Sequence, residues 1–493
     1  MKKLVLLVAI FAAISAGNTD NVNAQTFYRW VKQAGGTDSV VKGYGLTMDV
    51  YGNSIVTGKF TGTCVFGETN TLHSPGASDI FIAKYDPSGD LVWVRQAGGT
   101  SDDEGYGIAT DGAGNIIVTG KFQGKNARFG ETVLASRGES DIFIAKYDPA
   151  GNLLWVRQAG GAGDDQGLSV AVDGIGYIVV TGNFRGTTRF GLDSTPLSLC
   201  SVSGSSDIFI ARYDVNGNLV WVKKAGGIDY DEGLGVATDS CGNNIITGRF
   251  GDSATFGTGT TTETTLSSSR GSDIFIAKYD VNGNLVWAKR AGGTNDECSF
   301  GIATDVYGNS IITGRFKGTA SFGETVLTSR GGSDIFIAKY DVNGNPVWAR
   351  QAGGVYDDLG QGISADRSGN ILVTGKFHSR ANFGQTSVKS TGGSDIFLAK
   401  YDMNGNLLWV EDAGGRHDDC GSDVAVDPGG SINMVGSFRD TATFGALSLA
   451  SHGAEDAFVL KMGIVVGDIN GDDRIGLEEA IHALQVISRI RGE

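Results

Sequence analysis

The chain has 493 residues, with 40 Lys and Arg against 55 Asp and Glu, a formal net charge of -15 and five histidines. A surface this acidic repels phosphate backbones, which argues against nucleic acid as a partner. With 77 glycines, only 6 prolines, and Val, Ile, Phe and Thr at alternating positions, the composition favours β-sheet.

The beginning of the chain has the pattern of a secretory leader. Lys2 and Lys3 precede an apolar stretch from Leu4 to Ala16, and small residues before Ala24 form a cleavage site. No later segment reaches the roughly 18 apolar residues of a membrane helix. We therefore expect residues 1–24 to be a signal peptide, the mature chain to have no membrane span, and the protein to be secreted or held at the cell surface.

Seven tryptophans divide the rest of the chain into repeats 61 to 66 residues long, and each precedes Ala-Gly-Gly: Trp30, Trp93, Trp155, Trp221, Trp287, Trp348 and Trp409. A second phrase, SDIFIAKYD or a variant of it, recurs with its aspartate at Asp79, Asp141, Asp207, Asp273, Asp334, Asp395 and Asp456. One copy, residues 105–158, contains four strand-like runs, GYGIATD, NIIVTGKF, DIFIAKYD and NLLWVRQA, separated by Gly- and Asn-rich turns. A small four-stranded sheet cannot bury both faces alone, so the copies must stack.

The two ends of the repeat region complement each other. The segment around Trp30 is only the last strand of a copy, whereas the final copy stops at DAFVLKM without a Trp strand. We expect the Trp30 strand to complete the seventh sheet and close a ring, which removes the exposed sheet edges. The sequence thus predicts an all-β fold, a seven-bladed β-propeller of four-stranded antiparallel blades over residues 25–462, with each tryptophan packed between sheets.

The repeated phrases GIATD, GNIIVTGKF and DIFIAKYD followed by GNLLW resemble the bacterial seven-bladed β-propeller repeat family. The resemblance covers Phe27 to about Met462 and implies a propeller, but it implies no particular substrate. The five cysteines, an odd number in separate loop contexts, favour free thiols over a disulfide framework.

Binding residues are expected on the rim that carries the long second-to-third connections and the acidic loops between copies. The candidate ligand-binding residues of this rim are Asp102, Asp103, Asp164, Asp165, Asp231, Glu232, Asp296, Glu297, Asp357, Asp358, Asp418 and Asp419. One interpretation is a ring that gathers cations or cationic ligands. The other is that these carboxylates cap turns by accepting hydrogen bonds from backbone amides.

After Met462 the repeat ends, and residues 468–479 have the twelve-residue spacing of a calcium loop. Asp468, Asn470 and Asp472 would supply side-chain oxygens, Arg474 a backbone carbonyl and Glu479 a bidentate carboxylate. Residues 463–493, an EF-hand-like loop followed by an expected helix, resemble half of a dockerin module; dockerins carry two such copies and this chain one. The sequence predicts calcium as the cofactor, and burial of the apolar face of the helix either against the propeller or against a cell-surface anchoring partner.

Linear catalytic motifs are missing from the sequence: it has no Gly-x-Ser-x-Gly, no His-x-x-x-His and no Cys-x-x-Cys. We therefore assign no catalytic residue and favour an exported, non-catalytic scaffold that recognises an extracellular protein or glycan. The alternative is a propeller hydrolase or lyase that acts on an extracellular polysaccharide or small molecule. In that case His417, beside Asp418, Asp419 and Cys420, is the best catalytic candidate.

Overall fold

Antiparallel strands follow one another along the chain in a computed structural model, which describes residues 28–191, 196–427 and 429–463. The first strands are β1 (Tyr28–Gly35), β2 (Val41–Met48), β3 (Ser54–Phe60), β4 (Thr63–Phe66), β5 (Asn70–His73), β6 (Asp79–Tyr85), β7 (Leu91–Gly98), β8 (Glu104–Thr110), β9 (Ile116–Gln123), β10 (Ala127–Phe129), β11 (Thr132–Leu134) and β12 (Ser140–Tyr147). They continue with β13 (Leu153–Gly161), β14 (Gln166–Val172), β15 (Ile178–Arg185), β16 (Thr187–Phe190), β17 (Leu197–Cys200), β18 (Ser206–Tyr213), β19 (Leu219–Ala225), β20 (Glu232–Thr238), β21 (Asn244–Phe256), β22 (Thr264–Tyr279), β23 (Leu285–Gly293) and β24 (Cys298–Thr304). The last are β25 (Ser310–Phe322), β26 (Thr325–Tyr340), β27 (Pro346–Gly353), β28 (Leu359–Ala365), β29 (Ile371–Phe383), β30 (Thr386–Tyr401), β31 (Leu407–Gly415), β32 (Cys420–Val426), β33 (Ile432–Phe438), β34 (Thr441–Phe444), β35 (Leu447–Ala450) and β36 (Asp456–Met462).

The main strands group into four-stranded antiparallel units, each with its strands in the order first, second, third, fourth. Units 1 to 3 are β2-β3-β6-β7, β8-β9-β12-β13 and β14-β15-β18-β19; units 4 to 6 are β20-β21-β22-β23, β24-β25-β26-β27 and β28-β29-β30-β31; unit 7 is β32-β33-β36-β1. The strands of each unit match the four runs expected from the repeat, because Gly- and Asn-rich turns separate them. The fold is therefore all-β.

Unit 7 is assembled from distant parts of the chain. Its fourth strand is β1, which pairs with β36 through Val31 opposite Leu460 and Ala34 opposite Ala457. This is the pairing expected for the Trp30 strand. The first strands of consecutive units lie against each other, and β2 of unit 1 also lies against β32 of unit 7.

Each second-to-third connection, expected as a long loop, folds back as a β-hairpin. We call these the rim hairpins: β4–β5, β10–β11, β16–β17, β34–β35 and the far ends of β21–β22, β25–β26 and β29–β30. Every rim hairpin pairs with the fourth strand of the preceding unit, as β10 does with β7 through Phe129 opposite Ala97. The hairpin backbone thereby finds hydrogen-bond partners that a loop would have to find in water.

The hydrophobic core is divided among the interfaces between units. One cluster combines Ile80 and Trp93 of unit 1 with Val118 and Phe143 of unit 2. Another combines Trp30 and Val435 of unit 7 with Val56 and Phe81 of unit 1. Because each sheet is covered by its neighbours and not by a helix layer, the repeat is stable only as an array.

Each tryptophan packs against the next unit, as the repeat pattern led us to expect. The Trp30 indole N–H donates to the carbonyl oxygen of Pro87 at 3.1 Å, and its ring lies on Gly89, where a Cβ would be 2.7 Å from the indole. Gly89 has a φ of 87°, and its counterparts in the other third-to-fourth turns have φ between 76 and 81°, a conformation that favours glycine. The third-to-fourth turn of one unit is thus shaped to receive the tryptophan of the unit before it.

A buried ion pair joins the third strand of every unit to its first-to-second turn. The pairs are Lys84–Asp49, Lys146–Asp111, Arg212–Asp173, Lys278–Asp239, Lys339–Asp305, Lys400–Asp366 and Lys461–Asp427. In unit 5 the Lys339 Nζ is 2.9 Å from Asp305, with side chains 6% and 1% exposed. Burial alone would raise the pKa of Asp305, but hydrogen bonds from Asn309 and Lys339 hold it below its usual value. The aspartate is therefore charged and depends on its partner.

All five cysteines lie in the described part and are free thiols, as expected. Residues 28–462 form one compact unit. Within the described ranges we find no helix with the length and hydrophobicity needed to cross a membrane. The predicted calcium ligands Asp468, Asn470, Asp472, Arg474 and Glu479, the predicted helix and the predicted signal peptide lie outside the described residues.

Replacing Lys339 by Met should destabilise the protein by about 3 kcal/mol, because it leaves a charged aspartate buried without its counter-charge. Urea unfolding followed by tryptophan fluorescence measures the effect. Lys32→Met is the control, since Lys32 is 4.0 Å from Asp90 in a pair whose side chains are 39% and 80% exposed. Equal unfolding midpoints for the two variants would contradict the structural role of the buried pair.

Candidate functional site: the junction loops and the inner rim

The acidic loops, which we call junction loops, connect the fourth strand of one unit to the first strand of the next. In six of them one acidic residue is 0 to 1% exposed: Asp103, Asp165, Asp231, Glu297, Asp358 and Asp419. The Asp103 carboxylate accepts the backbone N–H of Gly99 at 2.7 Å and that of Gln123 at 2.9 Å. Gln123 ends β9, so the carboxylate ties the junction loop to the start of the rim hairpin.

Burial controls the protonation of these six acids. It raises the pKa of Asp103, Asp165, Asp358 and Asp419 to about 7 and the pKa of Asp231 and Glu297 to about 8. Amide hydrogen bonds act in the opposite direction, and a second buried carboxylate, Asp79 in the case of Asp103, raises the pKa further. Their burial leaves these six side chains no surface for a ligand.

The other predicted rim acids are more exposed but also have partners in the protein. Asp357 accepts the Ser333 N–H at 2.7 Å and Asp418 that of Ser394 at 2.9 Å. The remaining contacts are Asp102 with Ser78, Asp164 with Ser140, Asp296 with Ser272 and Glu232 with Arg249. Eleven of the twelve acids thus accept hydrogen bonds from backbone N–H groups or serine hydroxyls, and Glu232 pairs with the Arg249 side chain. Only the more exposed members remain candidates for ligand contact.

The first strands approach one another closely at glycines near the middle of each strand. A Cβ at Gly45 would lie 2.6 Å from the carbonyl oxygen of Tyr106 in the next unit. Between units 7 and 1 the contact is polar, because Asp423 accepts the Leu46 N–H at 2.9 Å. Burial raises the pKa of Asp423 to about 7. These contacts bring the ends of neighbouring first strands together.

Basic residues gather where the first strands begin and the second strands end. One residue of each first strand is paired there with one residue of the second strand, and we call these the inner-rim pairs: Lys42–Lys59, Glu104–Lys121, Gln166–Asn183, Glu232–Arg249, Cys298–Arg315, Leu359–Lys376 and Cys420–Ser437. Six of the fourteen positions are Lys or Arg and two are Glu. The inner rim is therefore basic in a chain of net charge -15.

Salt bridges connect inner-rim pairs of different units. Lys59 and Lys121 are both 3.3 Å from the Glu104 carboxylate, while Lys42 is 3.1 Å from Glu455. The rings of Tyr44 and Tyr106 lie beside this group, with centroids 5.6 Å apart. Burial, followed by the charge of Glu104, raises the pKa of both tyrosines. The inner rim is thus a polar surface of partly exposed cations, aromatic rings and two glutamates.

Two junction loops carry exposed apolar side chains. Ile228 and Tyr230, between units 3 and 4, are 61% and 45% exposed, and Val355 and Tyr356, between units 5 and 6, are 63% and 51% exposed. In the loop between units 1 and 2, Thr100 stands at the position of Ile228 and Val355. Asp102 stands at the position of Tyr230, and Ser101 at that of Tyr356. Exposed aliphatic and aromatic side chains beside a polar surface are typical of interaction sites.

The histidines of the described part do not assemble a catalytic group. They are His73, His378, His417 and His452, on the hairpins and loops of units 1, 6 and 7. The His417 ring is 3.9 Å from Asp440 in an exposed contact, whereas its sequence neighbours Asp419 and Cys420 bond to Gly415 and Gln361. No group of three or more His, Cys, Asp or Glu residues suited to a metal occurs in the described ranges.

Sequence reasoning missed the inner rim, although a signal was present. The second strands read VTGKF, VTGKF, VTGNF, ITGRF, ITGRF, VTGKF and MVGSF, so a basic residue recurs inside an otherwise buried run. A recurrent charge between two buried positions indicates a site where the strand meets solvent or a ligand.

The six buried junction acids should make stability fall as pH rises. Their pKa values of about 7 to 8 in the folded protein exceed the value of about 4 in an unfolded chain. Between these values the folded state keeps protons that the unfolded state has released, so the free energy of unfolding decreases with pH. We expect the melting temperature to fall between pH 5 and 8, with a shallower slope for Asp103→Asn and an unchanged slope for Asp102→Asn. A melting temperature that rises over this range would contradict the assignment.

Comparison with known proteins places these features in context. The family model described as "Beta-propeller repeat" matches residues 92–121 and 347–376. An uncharacterised WD repeat-containing protein of Acanthamoeba polyphaga mimivirus is 27% identical over 446 residues, covering 75% of this chain and 32% of that protein. The regulatory protein FlaEY of Caulobacter vibrioides is 26% identical over 371 residues, covering 69% of this chain and 36% of that protein. The chain spans about a third of the length of these relatives.

Solved structures with a similar arrangement were also found. The WD40 β-propeller domain of Doa1 has a TM-score of 0.40 and 10% identity, with 88% of this chain and 96% of that chain covered. The PQQ domain of pyranose dehydrogenase from Coprinopsis cinerea has a TM-score of 0.33 and 11% identity, with 88% and 97% covered. The repeat-model matches and the similarity to a WD repeat-containing protein indicate that the chain contains β-propeller repeats.

Proposed function

We propose that the protein is an exported binding scaffold, a seven-bladed β-propeller that recognises an extracellular protein or glycan through its junction loops and rim hairpins. The leader-like residues 1–24 support export to a secreted or cell-surface location. The units described above would be the blades, and the function would reside in the loops that the blades hold in place.

Ring closure by the β1 strand is supported by its pairing within unit 7 and by two contacts between units 7 and 1. The strands β1 and β36 pair along their length. The rim hairpin of unit 1 pairs with β1 through Gly35 opposite Val65. Asp423 of unit 7 accepts the Leu46 N–H of unit 1. A closed ring leaves no first or last sheet with an uncovered face.

The observation that carries the binding function is the apolar exposure of two junction loops, at Ile228 and Tyr230 and at Val355 and Tyr356. These side chains flank the inner rim on units 3 to 6, and the rim hairpins hold their loops in place. A rigid polar surface with a few exposed aromatic anchors suits a binding partner. Among the described residues the histidines are dispersed over three units. His452 contacts Asp456 at 3.2 Å, but Asp456 also accepts a hydrogen bond from Gln33, as a structural carboxylate does, which favours binding over the hydrolase or lyase alternative.

Calcium binding at residues 468–479 is proposed from the ligand spacing alone. Asp468, Asn470, Asp472 and Glu479 are the oxygen donors that calcium prefers, at the positions where an EF-hand-like loop places them. An anchoring partner for residues 463–493 would then attach the propeller to a surface. The protein would display its rim while the tail holds it in place.

Replacing Val355 and Tyr356 by Ser should weaken binding of the labelled protein to its ligands on an array of extracellular proteins and glycans. We expect a loss of about tenfold or more, as for aromatic anchors of interfaces. The control is Thr100→Ala with Ser101→Ala in the loop between units 1 and 2. If both variants bound every ligand as the unaltered protein does, the rim would not be the binding face.

Calorimetric titration of the full-length chain with Ca²⁺ should show one site. Glu479→Gln should weaken the affinity at least about tenfold, because it removes the bidentate ligand. Glu478→Gln, the neighbouring residue, should leave it unchanged. Asp341→Asn should also leave it unchanged, because the Asp341 carboxylate is engaged with Asn343 and Asn345 in a hairpin turn. Absence of heat from the unaltered chain would remove calcium from the proposed function.

A further inference from the structure

Two lysines form salt bridges with one carboxylate at the boundary between units 1 and 2. Lys59 is the last residue but one of the second strand of unit 1. Glu104 begins the first strand of unit 2, and Lys121 pairs with Glu104 in the inner-rim pair of that unit. Both lysines are 3.3 Å from the carboxylate. The single negative charge of the glutamate thus offsets the repulsion between the two lysines.

The same positions at the boundary between units 5 and 6 hold Arg315, Leu359 and Lys376. The register is the same, since Leu359 pairs with Lys376 as Glu104 pairs with Lys121. The two cations are kept, while the carboxylate between them is replaced by an apolar side chain. The boundary between units 4 and 5 also lacks the carboxylate. Cys298 occupies the position of Glu104 there, and Arg249 and Arg315 lie near it.

Arg315 and Lys376 have no salt bridge or side-chain hydrogen bond with any other residue of the described ranges. The Arg315 Nε is buried without a hydrogen-bond partner. The carboxylates whose pKa they lower, Asp357 and Asp418, already accept backbone N–H groups. A buried guanidinium N–H without an acceptor is costly, and an anion would satisfy it.

The fold does not require cations at these positions. Unit 3 builds its inner-rim pair from Gln166 and Asn183, and unit 7 builds its pair from Cys420 and Ser437. The order of the four main strands is the same in these units. Strand pairing therefore does not require the cations of units 5 and 6.

We propose that Arg315 and Lys376 bind a carboxylate group of a ligand, in the place that Glu104 occupies between Lys59 and Lys121. The chemical class is a sugar acid: its carboxylate would lie between the two cations, and its ring would lie against Leu359 and the exposed Val355 and Tyr356. This site deepens the binding function proposed above and rests on it. The ligands of the scaffold would be acidic glycans.

Titration of the full-length protein with galacturonate, at constant ionic strength, tests the site by calorimetry. We expect saturable binding, no binding of the neutral galactose, and a loss of about tenfold for Arg315→Gln or Lys376→Gln, as when one charge-assisted hydrogen bond is removed. The more specific variant is Leu359→Glu, which places an internal carboxylate between the cations. It should abolish galacturonate binding while the melting temperature stays equal or rises, since unit 2 already folds with Glu104 at this position.

Gln166→Glu is the matched control, with the same register and a new carboxylate in unit 3, beside Asn183 and away from Arg315. It should keep galacturonate binding. Equal binding by the Leu359→Glu variant and the unaltered protein would overturn the site, as would the lack of saturation up to about 50 mM, well beyond millimolar affinity. Binding of sulfate without galacturonate would overturn the assignment to a carboxylate. The calorimetric titrations use no ligand from the array. Galacturonate binding can therefore be found even if the Val355 and Tyr356 substitutions leave array binding unchanged, and array binding can be lost in that variant even if galacturonate does not bind.

Discussion

No sheet of this protein buries both of its faces without the units beside it. In most units the tryptophan of the fourth strand makes the contact with the next unit. The Trp30 indole lies on Gly89 of the next unit and donates to Pro87 in the same turn. Trp409 differs, because its indole N–H has no hydrogen-bond partner; in unit 7 the third and fourth strands come from opposite ends of the repeat region, so no turn joins them. The other six rings each lie on a glycine in the third-to-fourth turn of the next unit, and five of these six indoles also donate to a carbonyl oxygen of that turn.

The architecture was largely predictable, because repetition multiplies weak local signals. The alternation in DIFIAKYD, the turns rich in Gly and Asn and the incomplete first and last copies together predicted the four-stranded units and the pairing of β1 with β36. The rim hairpins were harder to predict from the sequence. A segment such as Thr63–His73 forms a hairpin because β1 of unit 7 offers it a partner, and sequence alone does not show which strand lies beside it.

The functional surface was harder to predict than the fold. Asp102 and Asp103 are adjacent in sequence, yet the first accepts a serine hydroxyl near the surface while the second is buried between two backbone amides. Residue type could not separate these roles, because the difference arises from the direction of each side chain in the junction loop. The inner rim was missed for a related reason: Lys59 and Glu104 belong to different repeats, and only the packing of units brings them within 3.3 Å.

The split composition of unit 7 also constrains how the polypeptide matures. Tyr28 pairs with Met462, so a chain leaving the ribosome must carry its first strand unpaired until the last one has been made. Native contacts of such sequence separation form slowly, and open strand edges invite association in the meantime. Completion of the last sheet would then mark the moment at which the molecule becomes resistant to proteases.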